Sequence, residues 1–194
     1  MASKAPTPLI EIQGLGLRLD GRWLFRKLDL CFAAGEFIAL TGPSGVGKSS
    51  LLACLAGIRQ PTEGEITSHL SGKAAIGIVF QDLLLTEGST VLTNVLCGRL
   101  SRYTFANTLF GFPKEDETDA YQILDDLGIA ELAHKWAAET SRGEQQRVAI
   151  ARTLLQEPTL YLADEPVASL DFARAEAALG LLQRETKERG GGVM

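Results

Sequence analysis

Apolar and polar residues alternate along Ile10 to Asp20 and again along Leu24 to Phe32. This period of two predicts two strands of an antiparallel layer, with Asp20-Gly21 as the turn between them. From Glu36 to Thr41 the pattern becomes a short apolar run, EFIALT, which leads into a glycine-rich turn and then into SSLLACLAG, a segment of helical character. That order is strand, loop, helix. Beyond Gly64, Glu65 to Thr67 and Ile76 to Phe80 read as further strands.

Between Thr90 and Leu132 the character changes. Helical patterns cover Thr90 to Leu100 and Glu115 to Leu127, separated by an aromatic-bearing loop that ends at Phe112-Pro113, so residues 82–140 are expected to form a helical insertion. The earlier pattern then resumes. Arg142 to Gln156 is helical, Glu157-Pro158 breaks it, and Leu160 to Ala163 forms a short apolar strand ending in Asp164-Glu165. A last helix is expected from Phe172 to Arg189, ended by Gly190 to Gly192. No repeat or linker divides the chain, so residues 1–194 read as one α/β domain.

Composition narrows the setting. With 194 residues, 45% hydrophobic and 22% charged, the chain has enough apolar material for one sizeable core. Its formal charge of −5 argues against a broad nucleic-acid-binding face, and no nucleic-acid partner is expected. Cys31, Cys54 and Cys97 are far apart, odd in number and without CxxC spacing, which fits a reducing compartment better than a disulfide framework or a zinc site. The start, MASKAPTPLIEI, lacks the apolar run of a signal peptide. No stretch approaches the roughly 20 apolar residues that span a bilayer, so any membrane role is expected to come through a partner.

The chemistry is concentrated at two places. Gly42-Pro43-Ser44-Gly45-Val46-Gly47-Lys48-Ser49 fits GxxxxGK[ST] between a predicted strand and a predicted helix that opens with Ser49-Ser50. In that context it reads as a P-loop: glycines let backbone N–H groups converge on phosphate oxygens, Lys48 adds positive charge toward the β and γ groups, and the Ser49 hydroxyl is placed to ligate Mg²⁺. The second place is the end of the strand Leu160 to Ala163. There Asp164 would orient Mg²⁺, directly or through water, and Glu165 would face an attacking water as general base.

Ser141-Arg142-Gly143-Glu144-Gln145-Gln146-Arg147-Val148-Ala149-Ile150-Ala151-Arg152 resembles the signature segment of ATP-binding-cassette (ABC) proteins and its helix. Phe80-Gln81 resembles their Q-loop, and Ala168-Ser169-Leu170-Asp171 their D-loop. These motifs occur in the family's order and cover nearly the whole chain. The resemblance implies a P-loop NTPase core of ABC type with an antiparallel β layer and a helical insertion subdomain. It implies two cassettes, expected to be identical, that enclose ATP head to tail, so that Ser141 and Gly143 reach the γ-phosphate held by the other subunit. Gln81 would touch Mg²⁺ or the lytic water and link the site to the insertion, and Asp171 would organise the dimer contact unless it simply caps the last helix.

Asn94 to Leu100 and Leu109 to Asp116 are similar to the corresponding region of phosphonate-importer ATPases. The implied function is therefore the motor of an importer for phosphonate or a related oxyanion. Its partners would be integral membrane permease subunits and, indirectly, a periplasmic substrate-binding protein. Its place would be the cytoplasmic face of the inner membrane, held peripherally through the permease.

Three features depart from the family pattern. Arg142 stands at a glycine position of the signature, where it either crowds the partner's γ-phosphate or helps to hold it. The aromatic that stacks on adenine is replaced by Leu19, leaving Trp23 as the nearest substitute or as a packing residue of the antiparallel layer. The switch histidine would follow the last helix on a further strand, which is expected to be missing because Met194 stands where that strand would begin. His69 and His134 precede Asp164 and are expected to be ordinary surface or packing residues. Alternatives are thus a truncated cassette that binds ATP but hydrolyses it poorly, and a non-transport ABC ATPase acting on DNA or ribosomes.

Overall fold

The structure, a computed structural model, describes residues 7–72, 75–104 and 111–194. Strands β1 (Pro8–Leu19) and β2 (Arg22–Ala33) form the antiparallel pair that their alternation predicts. Asp20 and Gly21 take φ of 48° and 81°, the left-handed pair that a two-residue hairpin requires. Strand β3 (Glu63–Ser68) adds to the other edge of β1, giving the order β2-β1-β3.

A second, parallel sheet has the order β4-β5-β6, formed by Ile76–Val79, Leu160–Ala163 and Gly192–Val193. Helix α1 (Lys48–Leu55) fills the space between the two sheets. Its Leu51, Leu52 and Leu55 join Ile10, Ile12 and Leu15 of β1, Phe32 of β2, and Leu160 and Leu162 of β5 in one core. The intervening Tyr161 faces a second core with Val79, Val148, Leu154 and Leu182. A central strand buried on both faces has no solvent side to mark with polar residues, which is why LYLA is uniformly apolar.

Among the described residues the insertion contains α2 (Val91–Leu96), a 3₁₀ turn over Cys97–Arg102, and α3 (Lys114–Asp126), followed by short 3₁₀ turns at Ala130–Leu132 and Ala137–Glu139. It packs on α4 (Arg142–Gln156), and α5 (Phe172–Arg189) closes the other side. Asn94 is buried and staples the preceding loop, accepting the Thr86 N–H at 2.8 Å and donating to the Thr86 and Thr90 carbonyls at 3.0 Å. Gly98 is where the insertion meets α4: a Cβ there would lie 2.2 Å from the Arg152 carbonyl oxygen. Of the segment similar to phosphonate importers, Leu109 and Phe110 lie outside the described residues, while Asn94, Gly98 and Arg99 act in packing.

One sequence expectation is corrected. Among the described residues Glu36 to Thr41 forms no ladder and makes a single bridge, Phe37 to Val193, because its partner β6 is two residues long. After the last helix, Gly192–Val193 form the short strand β6. Gly190, at φ 61°, ends α5, and Gly192 to Met194 then bond to both neighbours: Met194 N–H donates to the Tyr161 carbonyl at 2.9 Å, and Ile38 N–H to the Val193 carbonyl at 2.8 Å. The glycine run was read only as a helix stop, and its second use lies in tertiary contacts that a local pattern does not carry.

Candidate nucleotide site

The loop before α1 turns at Gly42, Gly45 and Gly47, all with positive φ. Gly47 is constrained twice, by a φ of 107° and by β2 beneath it, where a Cβ would stand 3.2 Å from Leu24 Cβ and 3.3 Å from Phe25 Cδ1. The loop therefore rests on the antiparallel layer and directs the first N–H groups of α1 outward. Lys48 folds back over it, donating to the carbonyls of Gly42 at 2.8 Å and Pro43 at 3.1 Å.

Beside this loop is a polar cleft of about 190 Å³ lined by Leu24, Ser44, Gly45, Gly47, Lys48, Ser49, Ser50, Gln81 and Glu165. Residues from four separate parts of the sequence, β2, the P-loop, the end of β4 and the end of β5, thus meet at one place. Asp164 lines an adjoining apolar cavity of about 270 Å³ that also reaches Lys48 and Glu165. Its N–H donates to the Val79 carbonyl at 2.9 Å, so the sheet geometry extends one residue past β5 and fixes where the acidic pair emerges. Glu165 itself has φ 52°, a left-handed backbone that a residue with a Cβ adopts only when its surroundings impose it. Its carbonyl is bonded by the buried Gln146 of α4, whose amide donates to it at 2.7 Å and accepts the Ser169 N–H at 2.8 Å.

The loop after Gln81 is held by the same helix. Leu83 and Leu84 both have positive φ, and Arg152 donates to their carbonyls at 2.7 and 2.8 Å. Arg142 donates to the carbonyl of Gln81 at 2.6 Å. In this structure its guanidinium is thus directed to its own chain's Q-loop, a third arrangement beside the crowding and the holding considered from sequence. Ser141 and Gly143 lie outside the cleft. Ser141 caps α4 in a reciprocal box, its N–H donating to Glu144 Oε2 at 2.7 Å and its hydroxyl accepting from Glu144 N–H. The Ser141 N–H first, and second its hydroxyl, which donates to the same Oε2 at 2.9 Å, hold the Glu144 carboxyl below its usual pKa.

Trp23 is not among the cleft residues; Leu24 is. The indole is engaged by Arg26, 4.5 Å from the ring centroid, and Arg18 at 5.9 Å, while Arg26 also pairs with Glu63 at 2.7 Å. The ring is exposed at the β1–β2 hairpin, with these two guanidinium groups as its neighbours. Asp171 caps α5, accepting the Arg174 N–H at 3.0 Å. His69 meets Glu11, and His134 meets Tyr121, as ordinary surface contacts. Gln146 and Arg152 were read only as parts of a motif. The available signal was their position: Gln146 is polar on a helix face whose Ile150 and Leu154 are buried.

The sequence matches the family described as ABC transporter over residues 25–168. The phosphonates import ATP-binding protein PhnC 2 of Oceanobacillus iheyensis is 36% identical over 196 residues, covering 94% of this chain and 77% of that protein. PhnC of Halobacterium salinarum is 42% identical over 156 residues, covering 77% and 55%. The phosphite import ATP-binding protein PxtA of Stutzerimonas stutzeri is 41% identical over 197 residues, covering 92% and 72%. Among solved structures, a dimeric bacterial ABC transporter cassette superposes with a TM-score of 0.81 at 30% identity, covering 95% of this chain and 86% of that one. A dimeric post-hydrolysis cassette bound to ADP and Pi gives a TM-score of 0.81 at 29% identity, with 95% and 85% covered. Sequence, fold and the convergence of P-loop, Q-loop and acidic pair agree, and the chain belongs to the ABC transporter family as an ATP-binding cassette ATPase.

Proposed function

We propose that this cassette is the motor of an importer for phosphonate, phosphite or a related phosphorus oxyanion. The single observation that carries the motor assignment is the cleft in which Lys48, Ser49, Gln81 and Glu165 converge. The substrate class rests on the relatives named above. ATP phosphates would bind the loop N–H groups from Gly42 to Ser50, with the Lys48 ammonium exchanging its two carbonyl partners for phosphate oxygens. Pro43 and Val46 shape the loop, whose Val46 is exposed. Glu165 takes the proton of the attacking water as its oxygen bonds to the γ-phosphorus, and the bond from that phosphorus to the β–γ bridging oxygen breaks, releasing ADP. Gln81 orients that water.

A hydroxyl, an amide oxygen and a carboxylate, from Ser49, Gln81 and Asp164, form the hard-oxygen set that suits Mg²⁺. No cluster of three or more His, Cys, Asp or Glu side chains suited to a metal occurs among the described residues, so these donors would share the ion with the nucleotide. Bound there, Mg²⁺ would neutralise charge on the β and γ oxygens.

Ser141 and Gly143 serve the γ-phosphate of a second, identical cassette in this reading. The insertion would receive the permease, which a periplasmic binding protein loads with substrate. No helix among the described residues is long and apolar enough to cross a membrane, which fits attachment through that permease at the cytoplasmic face. The test is ATP turnover in vesicles that contain a phosphonate-type permease and this cassette. Substrate-loaded binding protein should raise turnover, and Glu165→Gln should lower kcat by about 10²-fold or more with ATP binding retained. Turnover at the wild-type rate in Glu165→Gln would remove the assignment of the base, and indifference to every phosphorus oxyanion would remove the substrate class.

A further inference from the structure

The turn that carries Glu165 is held from outside its own strand. Glu165 has φ 52°, and with Pro166 after it a residue with a Cβ is favoured in the extended region at negative φ, so this turn is held away from its local preference. Gln146, on the second turn of α4 and only 4% exposed, bonds to it with both ends of one amide. Its Nε2 donates to the Glu165 carbonyl at 2.7 Å, and its Oε1 accepts the Ser169 N–H at 2.8 Å. One helical turn earlier Gly143 abuts the same segment, so closely that a Cβ would stand 3.0 Å from the Ser169 carbonyl oxygen. The first two turns of α4 and the turn 165–169 are thus joined by two hydrogen bonds and a close backbone approach.

We infer that Gln146 is a positioning residue for ATP hydrolysis: it fixes the Glu165 peptide so that the carboxylate faces the cleft of its own chain. The same contact links the base of one site to the helix whose first turn serves the other site of a dimer. The inference rests on the reading of Glu165 as base. An amide is the side chain this place demands, because it offers a donor and an acceptor at once. A carboxylate of the same shape keeps the acceptor for Ser169 and loses the donor to Glu165.

Gln146→Glu and Gln146→Leu, purified as full chains, separate positioning from folding. Both should lower kcat by about tenfold or more, while the Kd for a fluorescent ATP analogue stays within about twofold. In the Glu165→Gln background, addition of Gln146→Leu should leave ATP-driven dimerisation unchanged by gel filtration, since the signature turn still presents Ser141. Unchanged kcat in both variants would overturn the proposal. So would loss of ATP-driven dimerisation together with kcat, which would place Gln146 in the shared nucleotide contact instead. Full turnover by Glu165→Gln alone would fault the base assignment first, a result distinct from either.

Discussion

Arg142 and Arg152 stand at opposite ends of α4 and hold the Q-loop at three carbonyls, those of Gln81, Leu83 and Leu84. Their contributions should differ because their surroundings do. Arg142 is exposed, and its bond competes with water; Arg152 is more enclosed and neutralises carbonyls on two residues held at positive φ. Arg142→Ala should therefore cost about 0.5–1 kcal/mol, and Arg152→Ala about 2–3 kcal/mol through carbonyls left without a donor. Thermal unfolding checks the order, and amide exchange over residues 81–84 should rise in both variants, more in the second. Equal, negligible effects would mean that the loop holds its own shape. The motif residues themselves were legible because spacing alone specifies a P-loop and a signature. Which way Arg142 turns was not, since a guanidinium on a long stem selects among acceptors that only the folded chain brings near.

At the scale of elements, the joint between the insertion and the core is an ion-pair network. Buried Arg99, in the 3₁₀ turn after α2, pairs with Asp119 at 2.7 Å, Glu157 at 3.1 Å and Asp116 at 3.4 Å. Glu157, at the left-handed end of α4, also pairs with Arg102 and with Arg189 of α5. Burial alone would raise the Glu157 pKa, but hydrogen bonds from Arg99 and Arg102, with the charge of Arg189, outweigh it and hold the group at about 2. The unfolded chain binds this proton near pH 4.5, so the contribution is complete above that value and is lost as pH falls toward about 2. Glu157→Gln should cost about 2–4 kcal/mol at pH 7 and flatten the acid side of the stability profile. Thermal midpoints at pH 7, 5 and 3 test this, and parallel profiles for the two proteins would refute it. Helix limits were legible from periodicity and breakers, as with Arg142–Gln156. The pairing of Arg99 across 58 positions to Glu157 was not, because no local pattern encodes it.

For the whole molecule, two sheets share α1, and Gly192–Val193 pair with β5 in the parallel sheet. Gly192 makes that possible: a Cβ there would lie 2.4 Å from Phe32 Cζ, a ring buried between the sheets. Gly192→Ala should therefore destabilise by about 1–3 kcal/mol, because a rigid aromatic in a packed core has nowhere to move. Adding Phe32→Leu should recover part of the loss, since the clash, and not helix termination, is its source. Denaturant midpoints of the single and double variants measure this, and a Gly192→Ala midpoint equal to wild type would show that β6 does not need so close an approach.

By itself the sequence determined the order of strands and helices, the family, and the identity of the P-loop, Q-loop, signature and acidic pair. Each of these is written in spacings of a few residues, as in Gly42 to Ser49 or the apolar run before Asp164. It reads EFIALT as a strand where a single bridge forms among the described residues, and it does not show that Gly192 and Val193 pair with β5, because a ladder depends on what lies beside a segment as much as on its residues. Only the tertiary structure decided that Leu24, and not Trp23, borders the phosphate loop, that Arg142 reaches its own Q-loop, and that Gln146 clamps the Glu165 turn. Those outcomes are set by contacts between residues distant in the chain, where packing geometry and the need to pair every buried polar group choose among side chains that look interchangeable in sequence.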